Sequence, residues 1–217
     1  MVKVERTPQA PASLAIEKQK ASGKYNLPDV VNLLYHDFSG KCYICEIDKL
    51  QSSEVEHLKP HHNGQFRDRK FDWNNLFLSC PHCNSVKNQD KYNDTIIDCC
   101  QTDPEQVLVQ ELIEGHVHVA ILTESPEAQA TAKLIEECFE YTNTAIRTKE
   151  CEVRIEALQT VMTILCKQLA KYRKHKTPRL ERTLRAMLDR KYKFAGFTRT
   201  YVRRHLDCYP ELKQYVI

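Results

Sequence analysis

Lys41-Cys42-Tyr43-Ile44-Cys45, Val55-Glu56-His57-Leu58-Lys59-Pro60 and Ser79-Cys80-Pro81-His82-Cys83-Asn84 carry most of the structural information in this chain. Two Cys-x-x-Cys pairs, Cys42/Cys45 and Cys80/Cys83, flank a Glu-His dipeptide. Each pair presents two sulfurs from one tight turn, and four thiolates complete a tetrahedral zinc site. A site closed by four sulfurs has no position left for a substrate, so the metal it predicts is structural. Chemistry then falls to the residues that the zinc holds in place.

Composition bounds the remaining possibilities. The chain has 217 residues, of which 41% are hydrophobic and 28% charged, the balance of a soluble globular protein. With 5 glycines and no apolar run near the length of a bilayer-crossing helix, collagen-like and membrane-spanning classes are excluded, and no membrane partner is expected. The first residues, Met1-Val2-Lys3-Val4-Glu5-Arg6, carry no apolar secretory core, and the 10 cysteines then point to a reducing cytoplasmic setting with some thiols committed to metal. Cys99, Cys100, Cys138, Cys151, Cys166 and Cys208 lack metal-ligand spacing and read as small hydrophobes. The net charge of +3 conceals an asymmetry, because Lys167 to Arg204 holds 14 Lys or Arg against only Glu181 and Asp189. So basic a block attracts phosphates, and its Arg182 and Arg185 are the predicted nucleic-acid contacts.

The pattern predicts an α+β fold in four parts. Residues 1–28, with Pro8, Pro11 and Pro28, read as an extended arm, disordered or docked on a partner, with one short helix near Leu14 to Lys20. Residues 29–98 form a small zinc-stapled core. A helix over Asp29 to Phe38 precedes the first Cys pair. A strand at Val55 to Leu58, a polar loop at His61 to Lys70, a second strand at Leu76 to Leu78 and a helix opening at the second Cys pair follow. This is the layout of a ββα-metal unit. Residues 99–125 supply a hairpin turning at Glu114-Gly115. Residues 126–217 read as a basic helical domain, broken at Pro178 and closed by Phe194, Phe197 and Tyr201 as core aromatics. His116 and His118 share one face of the second hairpin strand but lack a third metal ligand.

Glu56-His57, Asn75 in Trp73-Asn74-Asn75-Leu76, Cys80-Pro81-His82-Cys83-Asn84 and Lys87 together resemble the HNH endonuclease motif. The chain departs from the family pattern at Asn84, where the second His would stand. An amide oxygen is a competent ligand for a hard cation, so the departure bears on metal preference. The resemblance implies hydrolysis of nucleic-acid phosphodiesters, with Mg²⁺ or Mn²⁺ as the catalytic ion and 5′-phosphate and 3′-hydroxyl products. In elementary terms that reaction needs an activated water and charge neutralisation at phosphorus. His57 accepts the proton from water, Glu56 and Asn84 offer oxygens to the divalent ion, Asn75 orients His57 through the backbone, and Lys87 reaches a phosphate oxygen. Adjacent strand residues face opposite sides, so Glu56 and His57 act together only if His57 lies at a strand end or bulge. His61 and His62 are alternative bases. His82 is expected to be exposed.

A narrower likeness exists. Cys42-Tyr43-Ile44-Cys45, Val55 to Pro60, Asp72 to Asn84 and the downstream Thr142 to Arg147 resemble PtuB-type HNH nucleases of Septu anti-phage defence systems, some of them associated with retrons. The likeness spans most of residues 41–150 and touches Phe194 to Arg199. It implies a PtuA-like ATPase partner and, in retron systems, a reverse transcriptase with its DNA product, with DNA or tRNA as the substrate. The competing class is a non-catalytic zinc module that binds nucleic acid or scaffolds a partner.

Overall fold

A computed structural model describes residues 1–50, 52–88, 90–140 and 144–217. Helices α1 (Ala12–Lys18) and α2 (Pro28–Asp37) lead into the first Cys pair, with Pro28 in the first turn of α2, where its missing N–H costs nothing. Strand β1 (Glu54–His57) follows, then a short helix α3 (Arg67–Phe71) inside the segment expected to be a loop. Strand β2 (Leu76–Ser79) pairs antiparallel with β1, setting Glu56 opposite Phe77 and His57 opposite Leu76. Helix α4 (Pro81–Lys87) opens at the second Cys pair. Gln51, Gln89 and, in the PtuB-like stretch, Thr142 and Asn143 lie outside the described residues.

Strands β3 (Leu108–Ile113) and β4 (His116–Ile121) form the expected hairpin. Glu114 and Gly115 both have positive φ, 51° and 87°, as a two-residue turn of this hand requires. Helices α5 (Pro126–Glu140) and α6 (Ala145–Lys174) come next, then α7 (Pro178–Met187), α8 (Ala195–Arg203) and α9 (Lys213–Val216). The Thr144 and Thr177 hydroxyls cap α6 and α7 by accepting from Arg147 and Leu180 N–H groups. No helix among the described residues is long and apolar enough to cross a membrane.

Two hydrophobic cores result. The first runs from Met1 and Leu14 through the Cys-rich segment and one face of the hairpin to Leu158, Val161, Phe194 and Phe197. The second joins Leu165, Leu169 and Tyr172 to Leu184, Leu188, Val202, Leu212 and Val216. The seam between them falls within α6. The arm of residues 1–28 docks on the protein itself. Arg6 lies over the rings of Trp73 and Phe77 at 4.7 and 4.8 Å and donates to the Trp73 and Leu76 carbonyls, while Trp73 Nε1 donates to the Thr7 carbonyl. A guanidinium bonded through both Nη groups and stacked on aromatics is a strong anchor, even with its buried Nε unpartnered among the described residues, and proline content alone does not reveal it.

Since α6 serves both cores, Leu158→Ala and Leu165→Ala should each lower one shared unfolding transition by about 2–5 kcal/mol. Chemical denaturation followed by circular dichroism checks this; two transitions shifting separately would show that the cores fold independently.

Candidate active site

The four cysteines of the two pairs are buried and converge, their sulfurs all within 4.8 Å of one another. Sulfurs bound at 2.3 Å in a tetrahedron stand about 3.8 Å apart, so the cluster fits a structural zinc. The first pair hangs from β2 through the Tyr43 N–H to the Leu78 carbonyl (3.0 Å). The second pair caps α4, where Cys80 Sγ accepts from the Cys83 N–H at 3.4 Å and Pro81 occupies the first turn. A cation from a distant part of the chain completes the surroundings. Arg154 of α6, 4% exposed, donates from Nη2 to Cys80 Sγ at 3.1 Å. His82 is buried, contrary to expectation, because its Nε2 pairs with the Cys138 carbonyl (3.0 Å) and ties α4 to α5.

This cluster fixes the β1–β2 pair and α4, and between them opens a cleft of about 370 Å³ lined by Glu56, His57, His61, His62, Asn84, Lys87 and Tyr25, among others. His57 is the last residue of β1, the position at which a strand can place neighbours Glu56 and His57 beside one cavity. Its Nε2 lies 3.1 Å from the Lys70 carbonyl. A carbonyl only accepts, so Nε2 carries the proton and Nδ1 is the free lone pair. Burial pushes the His57 pKa down to about 4, with the Lys70 carbonyl opposing and nearby cations reinforcing the shift. The ring is therefore neutral at physiological pH. His61 Nδ1 instead accepts from the Gly64 N–H (2.8 Å), which commits the nitrogen that would serve as a base. That bond braces a turn in which His62, Asn63 and Gly64 all have positive φ. Such strain costs about 1–3 kcal/mol per non-glycine residue and concentrates at functional sites.

Asn75 lies behind the cleft. Its side-chain oxygen accepts from the Lys59 N–H (2.8 Å), and its amide donates to the Lys59 and Arg69 carbonyls (2.9 Å each). It clamps both ends of the loop whose Lys70 carbonyl holds His57, and so reaches the imidazole through backbone. Glu56 is 5% exposed, and its Oε1 meets Lys87 Nζ at 2.6 Å. Burial raises its pKa against the pull of Lys87. Its Oε2 has no hydrogen-bond partner among the described residues. Lys87 does not stand ready for a phosphate. Its ammonium donates to Glu56 and to the His57 and Leu58 carbonyls (3.1 and 2.9 Å), which uses all three N–H bonds. Glu54 was not singled out from the sequence, although the period-2 rule sets it on the same face as Glu56. It accepts from Asn84 Nδ2 at 2.6 Å and so fixes the Asn84 amide.

Residues 42–90 match the HNH endonuclease family. The match is confined to this segment of the chain. No curated protein matches the chain. Within the HNH domain the strand, strand and helix of the ββα-metal layout hold the Glu56, His57 and Asn84 positions around one cleft. Arg182 and Arg185 are exposed on α7 and are not among the residues lining it. Part of the basic block is neutralised internally. Arg190, Arg199 and Arg203 converge on the buried Glu105 and Arg204 pairs with Glu111. Lys167, Lys171, Lys174, Arg179, Arg182 and Arg185 have no acidic partner among the described residues. His116 pairs with Glu140, and among the described residues the cysteine cluster is the one group of three or more His, Cys, Asp or Glu placed for a metal.

Removing one member of a buried ion pair leaves the other uncompensated. Lys87→Met should destabilise the protein by about 3–5 kcal/mol, and adding Glu56→Leu should recover much of that loss. A thermal-shift series on the single and double variants tests this; equal midpoints for wild type and Lys87→Met would show that the pair contributes nothing.

Proposed function

We propose that this protein is a metal-dependent endonuclease that hydrolyses phosphodiester bonds of DNA or tRNA, with His57 as general base. The carrying observation is the HNH match coinciding with a cleft in which a neutral imidazole, a buried carboxylate with an unpartnered oxygen and a braced amide meet. Glu56 Oε2 and the Asn84 side-chain oxygen are hard donors that would hold Mg²⁺ or Mn²⁺, with water filling the remaining positions. When bound, the ion supplies charge neutralisation at the scissile phosphate and its leaving oxygen. The protein's own groups do the rest. Lys87 holds Glu56 by Oε1 and so turns Oε2 away from itself. Glu54 takes the Asn84 amide N–H, which leaves the amide oxygen as the ligand atom. His57 takes a proton from water at Nδ1 while the Lys70 carbonyl holds Nε2–H, and Asn75 keeps that carbonyl in register.

The PtuB likeness supports a role as effector of an anti-phage defence system, working in the cytoplasm with a PtuA-like ATPase and, in a retron setting, with a reverse transcriptase and its DNA. The free cations of α6 and α7, Arg182 and Arg185 among them, support nucleic-acid contact outside the cleft.

The test is cleavage of plasmid DNA and total tRNA by wild type and His57→Ala, with the ATPase present, in Mg²⁺ and in chelator. Metal-dependent cutting by wild type, lost in a variant of unchanged zinc content, is expected. No cutting of either substrate by either protein would leave the zinc scaffold as the better reading. Reversing charge at Arg182 and Arg185 together should weaken nucleic-acid binding and flatten its salt dependence by about two counterions, without releasing zinc. Unchanged binding would assign those helices to a protein partner.

A further inference from the structure

Tyr25 lines the cleft from a part of the chain outside the HNH match. It follows α1, in a segment pinned along its length. The Lys24 N–H donates to the Glu17 carboxylate at 2.8 Å. Gly23 passes so close to the Glu17 carbonyl that a Cβ there would lie 1.9 Å from its oxygen. Helix α3 holds the same segment from the other side, with Arg67 donating to the Lys18 and Lys20 carbonyls and Lys70 Nζ to the Gly23 carbonyl at 2.9 Å. Lys70 thus grips this strap with its ammonium and His57 with its carbonyl.

The strap delivers one ring to the base. Tyr25 meets the His57 imidazole edge to face, with centroids 4.5 Å apart and planes at 71°. His61 meets it at the same distance and angle. The outer torsion of a histidine is broad, and one hydrogen bond at Nε2 leaves the ring free to swing about that contact. Edge-to-face packing by two rings removes that freedom, and edge-to-face pairs are themselves attractive. The Tyr25 hydroxyl has no hydrogen-bond partner among the described residues, so the ring carries the contact.

We infer that Tyr25 is a positioning residue, which holds the His57 imidazole at its working angle by ring contact. The inference rests on His57 being the base and adds that the residues preceding the HNH segment complete its active site. Misplacement of a reacting group by about 1 Å can cost a hundredfold in rate, so Tyr25→Ala should lower kcat about tenfold to a hundredfold with KM little changed. Tyr25→Phe keeps the ring and should restore turnover to near wild type. Zinc content and unfolding midpoint control for folding, with Tyr25→Leu used instead if the alanine variant proves unstable.

A second readout does not depend on cutting. The His57 ring C–H resonances, assigned by comparison with His57→Ala, should shift and broaden in Tyr25→Ala and stay close to wild type in Tyr25→Phe. Unmoved His57 resonances in Tyr25→Ala would overturn the inference even if no substrate were ever cut. Equal loss of turnover in Tyr25→Phe and Tyr25→Ala would also overturn it, by showing that the hydroxyl acts. If His57→Ala cuts like wild type while Tyr25→Ala moves the His57 signals, the assignment of His57 as base fails and the ring contact stands.

Discussion

Four buried cysteine sulfurs within bonding reach of one metal are the constraint from which the rest of this structure follows. The β1–β2 pair is four residues long on each strand, too short to be stable alone in water. The sulfurs fasten it at one end to the turn after Cys42 and to the start of α4, and so set the distance between the strand bearing His57 and the helix bearing Asn84. The cluster also organises what lies outside it, through Arg154 of α6 on Cys80 and the Cys138 carbonyl of α5 on His82. A guanidinium out of water is costly unless it meets opposite charge, and thiolate sulfur provides it.

On the other side of the β1–β2 pair a second buried cation does comparable work. Lys87 spends its three N–H bonds on Glu56 and on two carbonyls at the end of β1. It thereby holds together the strand end, the carboxylate and α4. The geometry of the cleft thus depends on a lysine whose charge never reaches the solvent, and the buried Glu56 carboxylate is oriented by a protein cation.

Much of this was legible in the residues. The Cys spacing located the metal cluster, the short apolar runs located both strands, and Glu114-Gly115 located the hairpin, because each signal is local. The requirement that His57 sit at a strand end followed from the alternation of strand faces. What escaped the sequence was long-range. Lys87 looked like a phosphate ligand because nothing local shows that its charge is buried. His82 looked exposed because its partner, the Cys138 carbonyl, is 56 residues away. Whether the N-terminal arm is docked stayed open because its anchors, Arg6 on Trp73 and Arg67 on the Lys18 and Lys20 carbonyls, join residues far apart in the chain. The seam between cores was hidden since α6 keeps one helical periodicity through both.

The reach of Tyr25 and Arg154 into the HNH segment bears on how such a domain can be moved between proteins. Residues 42–90 hold every motif position, yet one support of the imidazole stands before them and one support of the sulfur cluster stands some seventy residues after Cys80. Recombination at the edges of the motif would carry the recognisable letters and leave their bracing behind. Variation in this protein is then freest where neither support passes, and a transplanted HNH cassette inherits its sequence signature more readily than its rigidity.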